Sequence, residues 1–379
     1  MFSRIFTLTF ILLLLASGAQ AIETTARNVI LMDSETGQYL FVKDHMKKVP
    51  PASMSKLMTV YVIFEKLKNG SLSVDDEFTV SENAWRQGGA ASGGSTMFLP
   101  IKARVKVGDL LKGIIIQSGN DACITVAENI AGSEEKFAED MNKKAQEIGL
   151  ENSLIANSTG LPHPDHRMSV EDLAKLSRIL IEEFPEYYPL FSETSFIYNN
   201  IRQGNRNPLL YSMQYADGLK TGHTEEAGFC LTASAKKGSR RLIAVMTGMS
   251  SNKERAEESN KIMSWGFREF DNYTILKGNR KIATIPVWHG QQKNVDLIVP
   301  SDIRQTIHRS TAQKIKLTAV YNTPARAPIK KGDKLGSVKI DMGDGEINTI
   351  DLVAAQDVEE KGFFGRLAGK FRYIFFGAM

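Results

Sequence analysis

At 379 residues the chain is longer than one ordinary domain, and its 42% apolar and 24% charged residues are the mix of a soluble globular protein with two or three packed units. The formal net charge of +4 is small and evenly spread, and no long basic stripe interleaves with aromatics, which excludes a nucleic-acid footprint.

The first element is an export signal. Arg4 precedes an apolar run from Ile5 to Ala16, broken only by Thr7 and Thr9, and small residues then end in Ala19-Gln20-Ala21. The run is shorter than the roughly 20 residues that a spanning helix needs. Residues 1–21 therefore read as a secretory signal peptide cleaved after Ala21, with an uncleaved anchor helix as the alternative. Ala26 to Val42 predicts two short strands around a turn at Ser34-Glu35-Thr36-Gly37. Pro50-Pro51-Ala52 then leads a periodic apolar run, Met54, Leu57, Met58, Tyr61 and Val62, a helix with prolines where a missing N–H costs least. Gly88 to Ser95 is too rich in glycine for helix or strand, and it lacks the Lys-Ser/Thr ending of a phosphate cradle.

Further helices are predicted at Val107 to Gln117, Asp121 to Ile130, Glu134 to Ile148 and Ser169 to Phe184, the last opening with a capping-box-like Ser169-x-x-Asp172. Between them, His163-Pro164-Asp165-His166 is a proline-broken turn with no third ligand in view, so both histidines read as solvated and no metal is expected. Phe229 to Ala235 and Leu242 to Thr247 have strand character, and Asn260 to Phe270 returns to helix. Helices bracketed by N-terminal and C-terminal strands imply one sheet covered by helices, over residues 22–277. From about Gly278 short alternating runs separated by Gly, Pro, Asn and Asp predict a small all-β module over 278–360.

Turned at 100° per residue, Phe363, Phe364, Leu367, Ala368, Phe371, Ile374 and Phe375 fall within an arc of roughly 140°, with Lys361, Arg366, Lys370 and Arg372 outside it. Residues 361–379 thus predict an amphipathic helix lying on an anionic membrane surface. A helix docked on the β-module is the alternative. The two cysteines, Cys123 and Cys230, each lie in an apolar stretch, too few for a disulfide scaffold; two buried thiols are one reading and a single bridge the other.

The chemistry is carried by three short motifs. Ser53-Met54-Ser55-Lys56 puts a hydroxyl and an amine on one helix face a single turn apart. A hydroxyl nucleophile needs a base beside it, and Lys serves if its ammonium is destabilised by a helix N-terminus and a second cation. The spacing alone is weak, since it recurs at Ser133/Lys136, Ser234/Lys237 and Ser250/Lys253. Ser118-Gly119-Asn120 sits in a helix-to-helix turn, where a hydroxyl can relay a proton and an amide can hold a substrate amide. Lys220-Thr221-Gly222, on an edge strand, would offer a cation, a hydroxyl and room for a substrate backbone.

In this order, about 65 and then about 102 residues apart, the three form the motif set of serine penicillin-recognising enzymes. The stretches Pro51 to Thr59, Ile115 to Ala122 and Asp217 to Thr224 resemble the low-molecular-mass D-alanyl-D-alanine carboxypeptidases, and the resemblance covers nearly the whole chain. It implies an α/β (α+β) β-lactamase/transpeptidase-like domain, an antiparallel sheet flanked by helices, then a small all-β domain and a C-terminal amphipathic helix. It also implies that Ser53 attacks the carbonyl between two terminal D-alanines of the peptidoglycan stem peptide. Lys56 would take its proton, Ser118 would help pass it to the leaving D-alanine, and the N–H groups of Ser53 and His223 would hold the oxyanion. Asn120, Lys220, Thr221, Gly222, His223 and Arg255 would bind substrate, with Arg255 and Thr221 on the terminal carboxylate.

Arg202 and Asp172 match family positions near the site, with a loop ion pair and a helix cap as their other readings. Gly88 to Ser95 resembles a mobile loop beside the family's site. β-Lactam antibiotics would acylate Ser53, no cofactor is implied, and the location would be periplasmic, on the outer face of the cytoplasmic membrane. A class A β-lactamase would carry Glu-x-x-Leu-Asn where this chain has Glu151-Asn152-Ser153-Leu154-Ile155. A non-catalytic peptidoglycan-binding protein is the third reading, against which Ser53, Lys56, Ser118 and Lys220 are all intact.

Overall fold

The computed structural model describes residues 22–342, 347–365 and 367. The expected signal peptide and most of the expected amphipathic helix lie outside these residues.

The expected hairpin is formed by β1 (Asn28–Asp33) and β2 (Tyr39–Lys43), and Gly37, with φ +73°, supplies the left-handed residue of its turn. β1 then lies beside three strands from far along the chain: β3 (Ala216–Thr224), β4 (Gly228–Lys237) and β5 (Arg240–Met249). The spatial order is β2-β1-β5-β4-β3, with neighbours antiparallel, so β3 is an edge.

All six residues of β1 are buried, and their alternation assigns them to two cores. Ile30 and Met32 join Ile243 and Val245 of β5 against α1 (Lys56–Lys68), α2 (Val107–Lys112), α3 (Asn120–Ala131), α4 (Glu134–Glu147) and α5 (Val170–Glu183). Val29 and Leu31 join Leu242, Ala244 and Met246 against Ile262, Met263 and Phe267 of α6 (Asn252–Glu269). The result is a three-layered sandwich with its larger helical layer on the motif side.

Boundaries depart from the sequence reading where polar residues carry the structure. α6 starts at Asn252, not near Asn260, because Ser251 Oγ accepts the Glu254 N–H at 3.1 Å and so caps two largely polar turns. A π-helical turn (Ala84–Gly88) ends on the first residue of the glycine-rich stretch, which then forms a 3-10 turn (Ala90–Ser92). Its Gly88 is packed, not loose: a Cβ there would meet the Asp121 backbone N at 2.3 Å.

Beyond α6, Phe270–Leu276 pairs with Ile303–His308, a ladder the alternation pattern did not reveal. A six-stranded sheet follows in the order Lys316–Tyr321, Lys334–Asp341, Ile347–Ala354, Asn294–Ile298, Lys281–Trp288, Ala325–Arg326. Ile285, Val295, Leu297, Val338, Ile340 and Leu352 build its separate core. The β-rich unit meets the first through a polar network around Asp33. The Asp33 carboxylate accepts from Arg240 Nε at 2.9 Å and from Asn272 Nδ2 at 3.2 Å, while Thr36 and Thr306 share a hydroxyl bond of 2.6 Å.

Candidate active site

Ser53 sits on a 3-10 turn, Ala52–Ser55, that runs directly into α1. Ala52 has φ +49° and Ser118 φ +68°, so non-glycine residues occupy the left-handed region on two walls of the site. Each such residue costs on the order of 1 kcal/mol and persists only where surrounding structure over-determines it.

The three motifs converge. Lys56 Nζ is 2.9 Å from Ser53 Oγ and 2.8 Å from Asn120 Oδ1, and it also donates to the Thr159 carbonyl oxygen. Lys56 is fully buried. Burial, with Arg206 adding to it and Cys123 opposing, lowers its pKa from 10.5 to about 8. A neutral amine keeps two N–H groups and one lone pair. The Asn120 and Thr159 oxygens can only accept and so take the two N–H groups, which leaves the lone pair facing the Ser53 hydroxyl. Desolvation thus outweighs the helix N-terminus and the second cation that sequence reasoning emphasised.

Ser118 ends the π-helical turn Gly113–Gln117 and precedes α3. Its Oγ is buried with no hydrogen-bond partner among the described residues. Next to Asn120, the Asp121 carboxylate accepts from Thr96 Oγ1 at 2.7 Å and from the N–H groups of Met97 and Leu99 at 2.8 and 3.0 Å. It thereby fastens the irregular segment after Ser95 to the start of α3. Asp121 has no motif of its own within the Ser-x-Asn pattern, and sequence reasoning missed it.

Edge strand β3 carries Lys220, Thr221, Gly222 and His223. Lys220 is buried, its Nζ donates to the Thr221 carbonyl at 3.2 Å, and desolvation holds its pKa well below the lysine value, with Lys56 and Arg206 adding repulsion. A Cβ on Gly222 would lie 3.1 Å from both Ala52 Cβ and the Pro51 carbonyl oxygen. The close approach this glycine permits is to the chain's own nucleophile turn, a packing constraint that the sequence reading assigned to substrate alone.

Ser53, Ser118, Asn120, Thr221, Gly222, His223 and Arg255 line one cleft of about 510 Å³, joined by Ser95, Gly160, Leu161 and Arg206. Arg255 comes from α6. Its Nη2 donates to Asn252 Oδ1 at 2.6 Å, its guanidinium lies over the Phe229 ring, and its Nε has no partner among the described residues. Burial lowers its pKa to about 10.

Arg206 is the cation that sequence reasoning missed, donating to Ser95 Oγ at 2.5 Å from the cleft wall. Arg202, four residues earlier, lies instead on the hairpin Ser195–Tyr198/Ile201–Gly204, 3.4 Å from Ser195 Oγ. Asp172 accepts from the Asn152 N–H and Ser153 Oγ, both at 2.7 Å, outside the cleft lining. His166 corrects the solvated reading. It is buried, neither ring nitrogen has a partner among the described residues, and desolvation lowers its pKa to about 4. Cys123 and Cys230 are free buried thiols.

Comparison with known proteins agrees with this geometry. The family profile described as D-alanyl-D-alanine carboxypeptidase matches residues 16–251, and that described as penicillin-binding protein 5, C-terminal domain, matches residues 270–360. D-alanyl-D-alanine carboxypeptidase DacC of Escherichia coli is 40% identical over 351 residues, 92% of this chain and 88% of the relative. Among solved structures, penicillin binding protein 5 from Haemophilus influenzae superposes with a TM-score of 0.79 at 35% identity, covering 90% of this chain and 100% of that one. The D-alanyl-D-alanine carboxypeptidase DacD from Francisella tularensis does so with a TM-score of 0.80 at 30% identity, over 90% and 95%. The fold is that of the penicillin-binding serine peptidases, an α/β transpeptidase-like domain followed by a β domain. Within that class the chain belongs to the D-alanyl-D-alanine carboxypeptidase family.

Proposed function

We propose that the protein removes the terminal D-alanine from peptidoglycan stem pentapeptides through an acyl-enzyme on Ser53. The observation that carries this reading is the Lys56 amine, 2.9 Å from Ser53 Oγ with its other two bonds committed to acceptor-only oxygens. Ser53 Oγ attacks the carbonyl carbon of the penultimate D-alanine as its proton passes to Lys56. The Ser53 and His223 N–H groups receive the oxyanion. As the C–N bond breaks, the unpartnered Ser118 hydroxyl relays the proton from Lys56 to the departing amine. Water then attacks the ester, with Lys56 again taking a proton, and Ser53 is regenerated.

Asn120 holds the substrate amide, β3 aligns it through Thr221 and His223, and Gly222 keeps that strand close to the nucleophile. Lys220 lends positive potential, and Thr221 with Arg255 binds the terminal carboxylate. Penicillins enter the same path and stop at the ester. Among the described residues no Asp or Glu lines the cleft, so nothing corresponds to the carboxylate with which class A β-lactamases drive a deacylating water. Glu151 lies in an exposed turn outside it.

We place residues 22–269 as the catalytic domain and 270–360 as the β domain, because Phe270–Leu276 pairs with Ile303–His308. Residues 1–21 act as the export signal, and 361–379 as an amphipathic helix on the outer face of the cytoplasmic membrane. No helix among the described residues is long and apolar enough to cross a membrane. The test is a fluorescent penicillin and a stem-pentapeptide mimic. The wild-type chain is expected to form a slowly hydrolysed adduct and to release D-alanine, and Ser53→Ala to do neither. D-alanine release by that variant would sink the assignment, and rapid turnover of the penicillin would favour a β-lactamase.

A further inference from the structure

We infer that the β-rich unit touches the lipid surface through its own end, at Trp288, in addition to the C-terminal segment. The inference rests on the reading of residues 361–379 as a membrane anchor and names a second contact beside it.

Strand Lys281–Trp288 fixes the geometry. At its first end Lys281 pairs with Ile298, and the preceding Gly278 and Asn279 N–H groups donate to Asp302 Oδ1 and the Val299 carbonyl. These residues adjoin strand Ile303–His308, where Thr306 bonds Gln38 and Thr36 of the first unit. Trp288 closes the other end of an eight-residue strand, roughly 25 Å of chain away. None of the bonds to the first unit named above comes from this end of the β-rich unit.

The chain leaves from the same place. Gly290 bridges to Glu360, and the Lys361 N–H donates to the His289 carbonyl at 2.8 Å. Phe363 and Phe364 follow at once, 67% and 83% exposed. Trp288 is itself 38% exposed, and its ring stacks on His289 at 4.8 Å and 17°. Arg326 is its register partner on the neighbouring strand and is exposed. Of the acidic residues nearby, Glu360 bridges to Gly290, Asp357 accepts the Lys331 N–H at 2.7 Å and Glu359 accepts from Gln291 at 3.0 Å.

An indole beside a guanidinium, one residue from where an aromatic amphipathic segment begins, has the chemistry of the headgroup layer. The ring prefers interfacial depth and the arginine reaches lipid phosphate. With one contact at Trp288 and one along residues 361–379, the β-rich unit would stand with its long strand away from the bilayer and hold the Ser53 cleft above it.

The experiment uses the chain from Ile22 to Met379 in a Trp85→Phe/Trp265→Phe background, so that Trp288 is the reporter. Vesicles of phosphatidylethanolamine and phosphatidylglycerol, with and without nitroxide-labelled lipid, are the probe. Trp288 emission is expected to shift to the blue and to be quenched by headgroup-depth nitroxide. In the otherwise wild-type chain, Trp288→Ala should weaken vesicle partitioning about tenfold, the change for burying its exposed apolar area by half. Penicillin acylation of Ser53 should be unchanged.

Sedimentation with vesicles while Trp288 stays unquenched overturns the inference and leaves the anchor standing. Failure of the full chain to sediment with vesicles overturns both. If Trp288→Ala weakens binding to purified glycan strands and leaves vesicle partitioning intact, the indole is a sugar platform and the lipid contact is refuted.

Discussion

The pH dependence of acylation tests the chemistry most directly. Burial, reinforced by the Arg206 cation against the opposing Cys123 thiol, brings Lys56 from 10.5 to about 8. At pH 7 an amine of that pKa is about 10% neutral, against roughly 0.03% for an ordinary lysine, a gain of roughly 300-fold in the form able to accept the Ser53 proton. The second-order rate of acylation by a fluorescent penicillin, followed by stopped flow from about pH 5.5 to about pH 10, should therefore rise close to tenfold per pH unit at the acid end and flatten above about 8. The sign follows from the neutral amine being the active form: protonation at lower pH removes the base. Lys220 is a second buried lysine whose titration is coupled to that of Lys56, so the limb reports an apparent value for the pair. Arg206→Gln removes a repelling cation and should move the limb to higher pH. A rate flat between about pH 6 and about pH 9, or one still climbing at about pH 10, would refute the desolvation argument.

Three substitutions probe the supporting structure. Ser118→Ala removes a buried hydroxyl without a partner among the described residues, so the melting temperature should hold while acylation falls roughly 10²- to 10⁴-fold; an active variant would exclude a Ser118 relay. Asp121→Ala strips the carboxylate from Thr96, Met97 and Leu99 and should cost about 3–5 kcal/mol in urea unfolding, with a loss under about 1 kcal/mol contradicting its fastening role. Gly222→Ala puts a methyl 3.1 Å from Ala52 Cβ and the Pro51 oxygen. It should displace the Ser53 turn by tenths of an ångström and lower acylation by at least about tenfold, and an unchanged rate would mean the turn can yield freely.

Much of the site was legible because short-range chemistry writes itself into short-range sequence. Ser53 and Lys56 are one helical turn apart, Ser118 and Asn120 share a tight turn, and Lys220-Thr221-Gly222 is a run within one strand. What each motif touches depends on residues distant in the chain, which no local pattern encodes. Arg206 reaches the cleft and Thr159 reaches Lys56 from loops with no motif, Asp121 acts through the Thr96 hydroxyl and the Met97 and Leu99 N–H groups, 22 to 25 residues away, and His166 is buried by packing that its proline-broken turn did not announce.

By itself the sequence determined the order of the motifs, the N-terminal strand pair around its turn at Ser34 to Gly37, and the change to a β-rich texture near residue 278. Tertiary structure alone decided that β1 would pair with β5 and that Phe270–Leu276 would pair with Ile303–His308. It also decided that Lys56 would lose its water. That last point turns a common four-residue spacing into a site, because an amine's basicity is set by the solvent it has lost and the charges around it. Both are properties of the packed chain. Three other Ser-x-x-Lys spacings, at Ser133, Ser234 and Ser250, share the letters and not the surroundings.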